Sequence, residues 1–279
     1  MNTCKEVSLI NSPYRLLVVD VDGTLLDKNG AISAEDRKAL AKARESGILL
    51  SLSTGRAAQA CLRIMEQLSL DGYHIFFDGG LVSNLALGEE VYVQPISPAV
   101  VRQMVDFAHR HEIDLELYSA THYYAERETW STEAHREFFD IEPTIVDFNS
   151  VGERIIKGGL AVTNSEEQAK ARRFQHQFDG SLHFSWARTP AYPGIDFINI
   201  LAPEVSKGKA LEALGVHLGV AMSEVLAVGD GTNDISLLAA AGLAVAMGNA
   251  PEEVKAVADY ITLDVERSGV AAAVNRFLL

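Results

Sequence analysis

The sequence predicts an α/β protein: a doubly wound parallel sheet of Rossmann-like type, interrupted by an inserted α+β domain. Three observations predict it. Strand and helix signals alternate over the first third, the same rhythm resumes over the last third, and the stretch between is built differently. In the first third, RLLVVD (Arg15 to Asp20) is a continuous apolar run ending in a carboxylate, as in a strand buried on both faces. Ser33 is placed to cap a helix, with Asp36 three positions on and Gly47 to stop it. ILLSLS (Ile48 to Ser53) gives a second strand, a helix is expected from about Arg56 to Leu68, and YHIFF (Tyr73 to Phe77) gives a third strand. Such alternation implies right-handed crossovers and parallel pairing.

In the last third a helix begins after Ser206, and VLAVGD (Val225 to Asp230) is a strand. A helix over Thr232 to Ala241 and a strand at LAVAM (Leu243 to Met247) follow, then a helix opened by Pro251 and a closing helix. The middle, from about Leu81 to Pro193, carries six of the eight histidines and most of the aromatics. Its strands LELYSATHYYA, GGLAVT and SLHFSWA alternate more, with helices over Pro98 to His111 and Glu166 to Phe178 between them, which suits antiparallel pairing. The expected division is residues 1–83 and 194–279 for the core and 84–193 for the insert, with hinges near 81–86 and 188–195.

The 279 residues are 48% apolar and 22% charged with 8 prolines, which sets aside collagen-like, disordered and disulfide-knot classes. With 24 Lys and Arg against 38 Asp and Glu, the formal charge is −14, and so acidic a surface repels nucleic acid and anionic lipid. Cys4 and Cys61 form no disulfide framework or metal spacing, which suits a reducing compartment. The N-terminal stretch MNTCKEVSLINSPYR has no signal-peptide pattern, and the longest apolar run, Leu237 to Met247, falls short of a membrane span. A cytoplasmic protein is expected, monomer or dimer.

Ligands of an open parallel sheet bind beyond the carboxyl ends of its strands. There the first strand carries Asp20-Val21-Asp22-Gly23-Thr24, the second Ser53-Thr54-Gly55-Arg56, and the strand after the insert Gly229-Asp230-Gly231-Thr232-Asn233-Asp234, with Lys207 just upstream in SKGKAL. Two like charges about 4 Å apart repel by about 4 kcal/mol at an effective dielectric of 20. Four carboxylates in one crevice therefore call for a hard divalent cation, Mg²⁺, and Lys207 near a helix N-terminus points to an external anion. Phosphate fits both. Singly, each piece has a plainer use: Asp20 and Asp22 in a turn, Thr54 as a helix cap, Lys207 as a solvated lysine. Asp-x-Asp alone also suits a nucleotide-sugar transferase, and GDGTND is no dinucleotide fingerprint because Asp234 stands where the third glycine belongs. The ordered set on successive strand ends is what favours function.

DVDGTLLD, STGR, VSKGKAL and GDGTND, in that order, resemble the four motifs of the haloacid dehalogenase superfamily, and most closely its Cof-like phosphatase branch with a large inserted cap. The resemblance implies a Mg²⁺-dependent phosphatase of small phosphorylated metabolites, sugar phosphates first, working through an aspartyl-phosphate. It makes Asp20 the nucleophile and Asp22 the general acid and base. Thr54, Gly55, Arg56, Lys207 and Asn233 would contact substrate. Asp20, the main-chain carbonyl of Asp22, and Asp230 would hold Mg²⁺, with Asp234 supporting that shell. Aspartate rather than threonine at position 22 implies prompt turnover of the intermediate. Asp78-Gly79-Gly80 and Glu266-Arg267-Ser268-Gly269-Val270 depart from the branch pattern. Tyr118, Tyr123, Arg127, Trp130 and Arg188 are the cap's specificity candidates. A phosphomutase using the same site, or a phosphometabolite-binding protein without turnover, are the alternatives.

Overall fold

The computed structural model describes residues 12–187 and 194–279. In chain order the first strands are β1 (Leu16–Asp20), β2 (Leu49–Ser53), β3 (His74–Phe76), β4 (Leu81–Asn84) and β5 (Glu89–Val93). Next come β6 (Glu116–Tyr118), β7 (Tyr123–Ala125), β8 (Thr144–Ile145), β9 (Lys157–Val162), β10 (His183–Ala187) and β11 (Asp196–Leu201). The last are β12 (Val225–Gly229), β13 (Leu243–Ala246) and β14 (Tyr260–Ile261). The helices are α1 (Ala34–Glu45), α2 (Leu62–Leu68), α3 (Pro98–His111), α4 (Trp130–Phe139), α5 (Ser165–Gln177), α6 (Lys207–Leu218), α7 (Ile235–Ala240), α8 (Glu252–Lys255) and α9 (Gly269–Phe277). None is long and apolar enough to cross a membrane.

One sheet has the order β14-β13-β12-β1-β2-β3-β4-β5, parallel from β14 to β3 and antiparallel from β3 to β5. Successive residues of β1 serve opposite faces. Leu17 and Val19 pack in one cluster with Leu40 of α1, Ile64 of α2 and Val274 of α9, while Leu16 and Val18 pack with Leu211 of α6 and Leu237 of α7. That two-sided burial is why the strand reads as an unbroken apolar run. Ser33 caps α1 as expected, accepting from the Asp36 amide, and Gly47 sits just past its end at φ +89°. The expected helix from Arg56 is a tighter turn at Ala58–Cys61 before α2 begins, so Arg56 stays outside helical geometry.

The second sheet, β10-β11-β9-β6-β7-β8, is antiparallel apart from the β7–β8 pair. The two sheets correct the expected boundaries. β4 and β5 carry the core sheet to Val93, past residue 83, and β11 belongs to the second sheet although the core was expected to resume at 194. Both were missed because a hairpin strand and an alternating strand lack the long apolar run of the parallel strands. The expected hinge at 81–86 falls largely on β4, which is paired on both sides. The other lies mostly outside the described residues.

The insert's strands alternate between two environments. Leu117, Leu160, Ile198 and Ile200 pack under α3 and α5 with Met104, Phe107 and Phe174. Their neighbours Glu116, Tyr118, Phe197 and Asn199 turn the other way, where Tyr118, Phe197 and Asn199 meet the carboxyl end of the core sheet across a cavity.

Candidate active site

Chain order runs outward from β1 through β2 and β3 on one side and through β12 and β13 on the other, so the crevice opens at the end of β1. Asp20 stands there, 6% exposed. Lys207, the first residue of α6, is 1% exposed, and its Nζ donates to Asp20 Oδ1 and Asp234 Oδ1, both at 2.6 Å, and to the Ser53 carbonyl at 3.3 Å. Asp234 Oδ2 accepts the main-chain N–H groups of Asp230 (3.0 Å) and Gly231 (2.9 Å), fixing the turn after β12. Asp230 Oδ1 accepts from Thr24 Oγ1 at 2.8 Å. Gly23 brings the turn after β1 against that carboxylate: at φ +85° a Cβ would lie 2.4 Å from Asp230 Oδ2.

Carboxylate oxygens of Asp20, Asp230 and Asp234 all lie within 4.8 Å of one another. Burial and then the charge of Asp234 hold the Asp20 carboxyl well above the usual range against the pull of Lys207, and push Asp230 up to about 7. Burial opposes charge on Lys207, but Asp20 and Asp234 more than reverse this and hold its ammonium above the ordinary lysine range. Hard oxygen donors too close to be comfortably ionised together are the donor set that a Mg²⁺ ion fits. Both oxygens of Asp234 are engaged, and those of Asp230 accept from Thr24 and, at 3.3 Å, from Asn249 Nδ2, whereas only Oδ1 of Asp20 takes the Lys207 ammonium. For Asp22 the expected metal ligand is its main-chain carbonyl, and its side-chain carboxylate is engaged elsewhere. The Arg56 guanidinium clamps that carboxylate, Nε to Oδ2 at 2.8 Å and one terminal nitrogen to Oδ1 at 2.6 Å.

Thr54 is buried and takes the Arg56 amide on its hydroxyl at 3.1 Å. Its carbonyl accepts the amide of Asp78 at 2.9 Å, in the loop after β3. Asp78, at φ +53°, is an anchor the sequence reading noted only as a departure from pattern. Its carboxylate takes Nδ2 of Asn233 at 2.8 Å and of Asn199 at 3.0 Å. Its oxygens also lie 3.0 Å from where a Gly55 Cβ would stand. The three loops are therefore tied together by one buried acid.

Asp20, Asp22, Thr54, Gly55, Arg56, Asp230 and Asn233 all line one cavity of about 240 Å³. Among the specificity candidates that lie in the described residues, only Tyr118 does. Tyr123 stacks behind it at 4.8 Å and donates to the buried Glu116. Arg127 pairs with Asp114 on the surface, and Trp130 bonds Glu167 at a separate depression. Those two are corrected: each faces a partner on the insert itself. Arg188 lies outside the described residues. The sequence reading missed Lys157, His135, Phe139, Trp186, Phe197 and Asn199. Only the alternation of DFINIL pointed to the last two.

A family model described as haloacid dehalogenase-like hydrolase matches residues 17–274. The chain is similar to a 5-amino-6-(5-phospho-D-ribitylamino)uracil phosphatase of Bacillus subtilis, 30% identical over 269 residues, covering 95% of this chain and 96% of the relative. It is 28% identical to a second Bacillus subtilis phosphatase, covering 95% of this chain and all of the relative (100%). The crystal structure of a haloacid dehalogenase-like hydrolase from Bacteroides thetaiotaomicron superposes with a TM-score of 0.84 at 27% identity, over 94% of this chain and 99% of that one. With four ordered motifs brought to one crevice beneath an inserted domain, the chain belongs to the haloacid dehalogenase-like hydrolases and is a phosphatase.

Proposed function

We propose that the protein hydrolyses phosphomonoesters of small sugars and polyols in the cytoplasm, through a phosphorylated Asp20. The carrying observation is the three-acid cluster of Asp20, Asp230 and Asp234 closed by Lys207. A Mg²⁺ ion would be held by Asp20, Asp230 and the main-chain carbonyl of Asp22, with Asp234 behind them, and would supply charge neutralisation to the phosphoryl oxygens. Thr54, the Gly55 amide, Lys207 and Asn233 orient those oxygens, and Arg56 holds Asp22. A carboxylate oxygen of Asp20 attacks phosphorus, the bond to the alcohol oxygen breaks, and Asp22 gives that oxygen its proton. Asp22 then takes a proton from water, whose oxygen attacks phosphorus and releases phosphate from Asp20. Little beyond alignment and charge balance is asked of the site.

The likeness to a phosphatase named for a phosphoribityl substrate supports the choice of polyol and sugar esters. The test is turnover of sugar and polyol phosphates by purified protein with Mg²⁺ and with EDTA. Asp20→Asn is expected to lower kcat by roughly 10⁴-fold or more. Metal-independent turnover, or an active Asp20→Asn protein, refutes the mechanism, and isomerised sugar phosphate in place of free phosphate would make it a phosphomutase.

A further inference from the structure

The cations of the core are spoken for: Lys207 bridges Asp20 and Asp234, and Arg56 holds Asp22. Lys157 is different. It is the first residue of β9, on the insert, and it lines the cavity. Its Nζ donates to the Gly55 carbonyl at 3.3 Å and lies 5.0 Å from the centre of the Tyr118 ring, and it makes no ion pair among the described residues. One carbonyl and one ring face leave an ammonium with donors to spare.

The strand is built to expose this side chain. Lys157 stands opposite Tyr118 in the β6–β9 pairing. Gly158 turns to the helix side, where a Cβ would meet Met104 Cε at 2.8 Å. Gly159 turns back toward the cavity side, where a Cβ would lie 3.2 Å from both Glu116 and Tyr118. Beside two such glycines the lysine is the one long side chain this end of β9 extends. Burial lowers its pKa to about 8 against the opposing pull of Asp78 and Glu116, so at neutral pH most of the population keeps its charge.

The placement of the ammonium follows from the mechanism. Asp20 attacks from the core side, and an in-line displacement puts the departing alcohol on the opposite side, toward the insert. Lys157 reaches the Gly55 segment from there. We propose that Lys157 is the cap's ligand for the alcohol half of the substrate, donating to an oxygen near the ester, so that polyol and sugar phosphates are preferred over esters of bare aryl alcohols. This rests on the phosphatase mechanism above, and it assigns specificity to a residue outside the four motifs.

The test compares wild type, Lys157→Met and Lys157→Gln on ribitol 5-phosphate, glucose 6-phosphate and phenyl phosphate in Mg²⁺ buffer. Loss of a charge-assisted hydrogen bond is expected to raise KM for the two oxygen-rich esters about 10- to 100-fold, with kcat changed by less than about threefold. KM for phenyl phosphate is expected to stay within about threefold, a split that general damage to the fold would not produce. Ribitol 5-phosphate binding to Asp20→Asn, followed by calorimetry with and without Lys157→Met, reads the same contact without turnover. If the Met protein does not fold, the Gln protein carries the comparison. Equal loss on all three esters, or an unchanged KM for the oxygen-rich pair, overturns the proposal. A wild type that turns over none of them brings down the hydrolytic mechanism first, and this assignment with it.

Discussion

The two walls of the cavity are made on different terms. The core wall is an interlocked charge network: Lys207 bridges Asp20 and Asp234, Asp22 is held by Arg56, and Asp78 gathers Asn199 and Asn233. The insert wall is mostly rings, with His135, Phe139 and Phe197 packed edge to face or tilted, and among the described residues its one lysine or arginine is Lys157, which makes no ion pair there. Charges locked to charges cannot adapt to a new ligand without breaking something. Rings and one uncommitted donor can. Reaction chemistry and substrate choice are thus separated between two sheets.

The comparison can be broken from the core side first. Lys207→Met removes the ammonium that bridges two buried carboxylates. It is expected to abolish turnover and to cost about 3–5 kcal/mol of stability in metal-free buffer, read by chemical denaturation. A protein as stable as wild type would mean that Lys207 does not hold the two acids together.

A second probe sits in the core sheet itself. His74 accepts the Leu52 amide on Nδ1 at 3.1 Å, and its Nε2 is buried with no partner among the described residues. Burial pushes its pKa down to about 4 from 6.5, partly opposed by Asp71. Between those two values the unfolded chain binds more protons than the folded one, so stability is retained above about pH 6.5 and lost as pH falls toward 4. Wild type is expected to lose about 3 kcal/mol more than His74→Asn over that window, measured by urea denaturation at each pH. Parallel profiles would show that the ring is not the titrating group.

The insert supplies the smallest expected effect. Arg127→Ala breaks a mostly exposed pair with Asp114, well away from the cavity. Stability should move by less than about 0.5 kcal/mol and KM by less than about twofold. A larger KM change would extend the specificity surface beyond the ring wall.

How legible each wall was in the sequence follows from the same division. Core residues sit on turns directly after parallel strands, so Asp20, Asp22, Thr54 and Asp230 stand in short contiguous motifs whose spacing is set by the strand ends. Asp78 was seen but not understood, because nothing local shows that its carboxylate would meet Asn199, 121 positions away. The insert wall comes from alternate residues of antiparallel strands, where position in the sequence does not say which face is inward. Tyr118 and Tyr123 looked alike, yet one lines the cavity and the other backs it. Lys157 carried no signal, since it stands just before GGLAVT, a strand whose sequence does not say which face meets the core. The sheets part from the boundaries at 83 and 194 for a related reason: β4 and β5 are short hairpin strands and β11 alternates, so none shows the unbroken apolar run of β1 and β12.

The central pairing of β1 with β12 joins Leu16 to Val225 and Val19 to Val228. During synthesis, one edge of this buried, largely apolar strand must wait until some two hundred later residues have emerged. The intervening insert closes its own sheet from contiguous chain and can gather first, drawing the two halves together as it does so. Until then the nascent polypeptide displays an open, hydrophobic strand edge of the kind that invites aggregation. Recombinant yield should therefore respond more to ribosome pausing and chaperone supply before residue 225 than to any change in the finished enzyme.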